Sequence, residues 1–110
     1  MKSVSPLGHM RKRVILEQPV ETPDVIGGVT RSFATLATLW AQIAPVGGAE
    51  TLIAVQQQEI ITHRLRLRYL PGVTAAMRFR LGARILWIRD VTDEDETRRY
   101  LICHCQEYKP

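Results

Sequence analysis

The chain has little of what most enzymes and secreted proteins carry. Two cysteines in 110 residues are too few for the disulfide framework of a small extracellular domain, so a reduced, cytosolic protein is expected. Lys2 is followed by no apolar segment, so no secretory leader is expected either. No run approaches the roughly 20 apolar residues of a membrane-spanning helix. The longest uncharged stretch, Ser32 to Ala49, is interrupted by Thr, Gln, Pro and Gly. Aromatics make up 6%, which gives each Trp and Tyr a packing role. No exposed aromatic is interleaved with the arginines as a platform for stacking bases, so single-strand readers of the usual kind are disfavoured.

Catalytic hardware is missing as well. No Ser, Cys or Thr stands in a recognisable nucleophile motif, and the three histidines have no partner spacing. There is no phosphate-binding loop and no dinucleotide fingerprint. Gly27-Gly28 and Gly47-Gly48 are isolated pairs that read as turns. Cys103 and Cys105, two apart on a strand, point the same way and could reach one metal with help from His63. Structural zinc sites use other spacings and four clear ligands, so both cysteines read as core residues. No enzyme, cofactor or metal is expected.

What is there is charge, unevenly placed. Lys and Arg number 15 against 11 Asp and Glu, a net +4. Between Ile60 and Arg89 lie seven arginines and no acid. The acids then return together as Asp90, Asp93, Glu94, Asp95 and Glu96. The length sets one domain as the default, and 45% apolar residues can supply its core.

Residues 1–9 lack periodicity and read as a flexible arm ahead of a single domain over 10–110. Arg11 to Gln18 reads as a strand that Pro19 ends. Residues 19–32, with Pro23, Asp24 and Gly27-Gly28, read as a long loop. Thr38 to Ala44 is the next strand. Ala49 to Glu59 is the one helical segment, rich in Ala, Leu and Gln. Ile60 to Leu70 alternates most clearly, with His63, Leu65, Leu67 and Tyr69 on one face and Arg64, Arg66 and Arg68 on the other. Met77 to Leu81, Arg84 to Val91 and Arg98 to Tyr108 complete the set. The fold class is mainly β: a small antiparallel barrel or sandwich of about six strands, with one short α-helix and a long loop.

Arg64, Arg66 and Arg68 would stand about 6.5 Å apart on one strand face. A hairpin at Pro71-Gly72 would add Arg78 and Arg80 to the same face. Such a strip reads as a solvated face, a phosphate-contacting surface or a set of bridges to a partner's acids. Asp93, Glu94, Asp95 and Glu96 form the candidate acidic partner patch. Any DNA contact would be to the backbone and insensitive to sequence.

The order of segments resembles a known family. The pieces that carry the likeness are Trp40-Ala41 followed by Pro45, the strand from His63-Arg64 to Arg68-Tyr69, Pro71-Gly72-Val73, Met77-Arg78, and Gly82-Ala83-Arg84 leading to Ile88. Over roughly residues 10–107 the chain is similar to the head–tail joining proteins of long-tailed bacteriophages, the connector or stopper subunits also found in gene transfer agents. The departures are the nine-residue N-terminal extension and Leu86-Trp87. The resemblance implies a structural subunit of the particle neck, assembled in the bacterial cytoplasm. It implies a homo-oligomeric ring, hexameric or dodecameric, between portal and adaptor proteins above and the tail terminator and tail tube below. The ring would continue the channel for double-stranded DNA and help retain it, with no membrane involved. Val20 to Ser32 would be the channel or docking loop, with Asp24, Gly27, Gly28 and Arg31 as its candidate residues. Head-to-tail ring contacts need complementary faces, which the arginine strip and acidic corner could supply. The competing reading is a small sequence-nonspecific nucleic-acid-binding barrel acting outside a particle.

Overall fold

Alternation of apolar and polar residues sets the walls of the molecule. The computed structural model describes residues 12–46 and 61–108. Six strands appear: β1 (Lys12–Pro23), β2 (Val29–Pro45), β3 (His63–Arg68), β4 (Arg78–Leu81), β5 (Arg84–Asp93) and β6 (Tyr100–Gln106). They close into an antiparallel barrel in the order β1-β2-β3-β6-β5-β4. Closure pairs β3, β4, β5 and β6 on both sides and leaves open edges only along parts of β1 and β2 among the described residues. The expected N-terminal arm and the expected helix at 49–59 lie outside the described residues.

One side chain of each alternating pair points into the barrel. Val14 and Leu16, Ala41, Leu65 and Leu67, Phe79, Leu86 and Ile88, Leu101, Cys103 and Cys105 form a single buried cluster. Every strand contributes to it, so no part of the wall is dispensable to the core. Among the described residues no helix is long and apolar enough to cross a membrane.

Two expectations need correcting. First, residues 19–32 are not a loop. β1 runs on through Pro19 to Pro23 and pairs continuously with β2 from Val29 onward. Proline is tolerated because β1 pairs with β4 only at Ile15, Leu16 and Glu17, so among the described residues its outer side beyond Glu17 is a free edge. The result is a two-stranded arm of six residue pairs, Gln18↔Ala34 to Pro23↔Val29, roughly 20 Å long. A bulge lies at its root: Leu16 faces Ala37 and Glu17 faces Thr35, leaving Leu36 unpaired. Second, Pro71-Gly72 does not fold β3 onto β4. β3 lies between β2 and β6, and β4 lies between β1 and β5.

The arm closes with a tight turn. Asp24 N–H donates to the Gly28 carbonyl at 3.0 Å, and Gly27 N–H donates to the Asp24 carbonyl at 3.3 Å. Gly27 sits at φ +86°, a conformation that costs a side-chain-bearing residue about 1 kcal/mol or more. One Asp24 carboxylate oxygen accepts the N–H groups of Ile26 and Gly28, both at 2.9 Å.

Candidate assembly interface

The arginines predicted to share one face divide between two walls. Arg64, Arg66 and Arg68 project from β3, while Arg78 and Arg80 project from β4 on the far side of β1 and β2. Each wall handles its charge differently.

On the β3 wall, Arg66 reaches Glu94. Its Nε and its terminal nitrogen both lie 2.8 Å from Glu94 Oε1, and the guanidinium stacks 4.1 Å from the centre of the Tyr100 ring. The acidic segment is thus next to the basic strip within one subunit. Arg64, Arg66 and His104 line an open groove of about 410 Å³ with Gln42, Thr92 and Glu94. His104 lies 3.4 Å from the Asp90 carboxylate. Arg68 is exposed.

The acidic segment is a strained turn. Asp95, Glu96 and Arg98 all have left-handed φ, at 57°, 55° and 59°, a region costly for residues with a Cβ. Asp93 holds the turn by accepting the Arg98 N–H at 3.1 Å. Asp95 and Glu96 are left exposed. Asp93 and Glu94 therefore work inside the subunit, and Asp95 and Glu96 face outward.

The β4 wall depends on a residue that the sequence reading passed over. Glu17 shares the outward face with Ile15, yet it is only 6% exposed. Arg78 Nε donates to one of its carboxylate oxygens at 2.6 Å and Arg80 Nε to the other at 3.0 Å. Burial alone raises the pKa of this carboxyl, but the hydrogen bonds and charges of the two arginines outweigh it and hold the group below its ordinary value. Arg78 also lies 3.9 Å from the Phe33 ring and 5.1 Å from the Trp87 ring. Phe33 and Trp87 meet edge to face at 5.5 Å. Phe33 belongs to the arm and Trp87 to the barrel, so this cluster sets the direction in which the arm leaves. The signal in the sequence was the pair Arg78 and Arg80, two apart on a strand with no acid nearby, which calls for a carboxylate from elsewhere.

A third network closes the barrel mouth. Arg84 makes a two-pronged contact with Glu107 at 2.8 and 3.0 Å. The Glu107 hydrogen bonds raise the Arg84 pKa further. Cys103 and Cys105 lie inside the barrel as core residues. Burial, with the Asp90 charge adding to it, pushes the Cys103 thiol up to about 12, and burial pushes Cys105 higher still. Among the described residues no three potential metal ligands come together.

The arm carries the remaining candidates. Asp24, Gly27 and Gly28 build its tip, and Arg31 pairs across the arm with Glu21 at 3.6 Å, both largely exposed. Such a pair contributes little. The tip is apolar: Val25 and Ile26 are almost fully exposed, and Val29 beside them is 64% exposed.

The model of the phage head completion protein family matches residues 6–108. The chain belongs to this family. It is therefore a structural protein of the phage head–tail region. Two solved structures share its fold. Protein SF1141 from Shigella flexneri 2a superposes with a TM-score of 0.76 at 24% identity, over 94% of this chain and 96% of that one. A chain from the virion of a native gene transfer agent particle superposes with a TM-score of 0.61 at 24% identity, over 89% and 94%. No curated protein matches the chain. For a head completion protein the functional elements are surfaces. The candidate surfaces here are the β3 wall, the outward acids Asp95 and Glu96, and the arm.

Proposed function

We propose that this protein is a connector subunit of the stopper type in the neck of a phage-like particle. Copies form a ring, hexameric with a dodecamer as the alternative, between the portal and adaptor above and the tail terminator and tube below. The ring continues the channel for double-stranded DNA and touches only its backbone. The arm lies toward the channel or docks on the adjoining ring, and so helps retain packaged DNA. The subunit works without catalysis. It is made in the bacterial cytoplasm and ends in the virion.

The observation that carries this reading is the arm. A closed barrel has no need of a hairpin extending roughly 20 Å beyond its wall, and a two-stranded ribbon alone is marginal in water. Here it is anchored by Glu17, Arg78, Phe33 and Trp87 and capped by Asp24. Its apolar tip suits contact with protein better than contact with phosphate. Exposed Arg64 and Arg68 on the β3 wall and the outward Asp95 and Glu96 are candidates for contacts between neighbouring subunits. The internal pairing of Arg66, Arg78 and Arg80 leaves less free positive charge than the sequence suggests, which weighs against a free nucleic-acid-binding barrel.

The test is complementation of a particle lacking this protein with the double variant Val25→Asp, Ile26→Asp. The expected result is a soluble, folded subunit and a drop in infectious or transferring particles, with filled heads that lose DNA or lack tails. Full activity with a charged tip contradicts the role given to the arm. Steeply salt-dependent binding of free DNA by the isolated subunit favours the competing reading.

A further inference from the structure

The two long edges of the arm are not alike. The Asp24 N–H to Gly28 carbonyl bond makes that pair a hydrogen-bonded one. Hydrogen-bonded and non-hydrogen-bonded pairs alternate along an antiparallel ladder. By the register Pro23↔Val29 through Glu17↔Thr35, the backbone groups of residues 19, 21 and 23 face the outer edge of β1. Those of 29, 31, 33 and 35 face the outer edge of β2. On β1, two of the three are Pro19 and Pro23, which have no N–H to offer. That edge is guarded against strand addition. On β2 all four carry an N–H. From Val29 to Trp40 there is no proline, no glycine and one charge, Arg31. β3 pairs with β2 only from Ala41 onward. Among the described residues, the outer edge from Val29 to Trp40 is therefore unpaired, and an open edge of this kind templates another strand.

We infer that this edge is a dimerisation surface for the same edge of a second copy, the two β2 strands running antiparallel about a twofold axis at Ser32. The residues along the edge select this register, and its self-complementarity selects a second copy. Outward-facing residues must meet outward-facing residues, and the Ser32 axis does this by setting Val29 against Thr35 and Arg31 against Phe33. An axis at Arg31 would oppose two like charges. An axis at Phe33 would run Val29 past the Leu36 bulge, where the alternation breaks. The Ser32 register also brings the exposed tip residues Val25 and Ile26 of each copy beside the exposed Leu36 and Trp40 of the other. A twofold contact needs such a self-complementary patch.

The dimer covers the arm of the free protein. This inference is independent of where the arm lies in that particle. The full chain should run in light-scattering chromatography at tens of micromolar as a dimer of twice the 12.5 kDa subunit mass. Arg31→Pro blocks the β2 edge, and Glu21→Pro places the same block on the β1 edge. Both delete the Glu21–Arg31 ion pair, and both fall where the N–H points outward. Arg31→Pro should weaken the dimer more than tenfold, and Glu21→Pro should leave it intact. Ser32→Cys provides a test that does not depend on the proline variants folding. Residues 32 of two copies would form a non-hydrogen-bonded pair, close enough for a disulfide, while Cys103 and Cys105 are buried. Rapid formation of a covalent dimer under mild oxidation supports the register. A monomeric wild type, an oligomer that survives Arg31→Pro, loss of the dimer in Glu21→Pro, or a Ser32→Cys chain that stays monomeric each overturns it.

Discussion

Replacing Glu17 with Gln removes one charge, keeps the shape and tests how the arm is anchored. The carboxylate accepts hydrogen bonds of 2.6 and 3.0 Å from Arg78 and Arg80. A hydrogen bond to a charged group contributes about 1.5–3 kcal/mol. Both guanidiniums keep some contact with water, at 21% and 41% side-chain exposure, and the Gln oxygen still accepts one bond. The lower end therefore applies, and the expected loss is about 2 kcal/mol. For a domain of this size that lowers the melting temperature by about 10 °C. The pH dependence has a definite sign. Glu17 titrates below its ordinary value in the folded state, so its contribution is complete above that ordinary value and fades as the pH falls through the folded pKa. Melts followed by circular dichroism should show wild type well above Glu17→Gln at neutral pH. The gap should shrink as the pH drops below about 4. Equal melting temperatures at neutral pH, or a gap that persists in acid, would mean that the Glu17 carboxylate does not stabilise the fold through Arg78 and Arg80.

Phe79 is fully buried at the centre of the barrel, so Phe79→Ala should cost about 3–5 kcal/mol by chemical denaturation. The Cys103 and Cys105 thiols should resist a thiol reagent in the native protein at pH 8 and react at once after unfolding, because burial raises both pKa values. Asp24→Ala removes the acceptor for the Ile26 and Gly28 N–H groups at a local cost of about 1 kcal/mol. Hydrogen exchange should then speed up in the arm while barrel amides and the melting temperature hold.

The strands whose partners do not matter were the legible ones. In β3, alternation alone separates Leu65 and Leu67 from Arg64, Arg66 and Arg68. Pairing was not legible, because it is decided far along the chain. Pro71-Gly72 has the residues of a hairpin turn, yet β4 pairs with β1, and the five arginines part company as a result. The arm has the sequence of a loop because proline ends a central strand; nothing local to Pro19 reveals that β1 has a free edge there. Glu17 alternates with the inward Leu16, but its burial comes from Arg78 and Arg80, 61 and 63 residues away. The family resemblance was legible because it rests on segment order and spacing, which survive without knowledge of pairing.

We propose that this head completion protein joins head to tail as a ring around DNA. A cryo-electron microscopy map of the neck of a particle containing it tests this most directly. The expected result is a closed ring of these barrels between the portal side and the tail, with the β1–β2 arms reaching the channel or the adjoining ring. A neck in which the chain is absent, or present without ring contacts between copies, contradicts it.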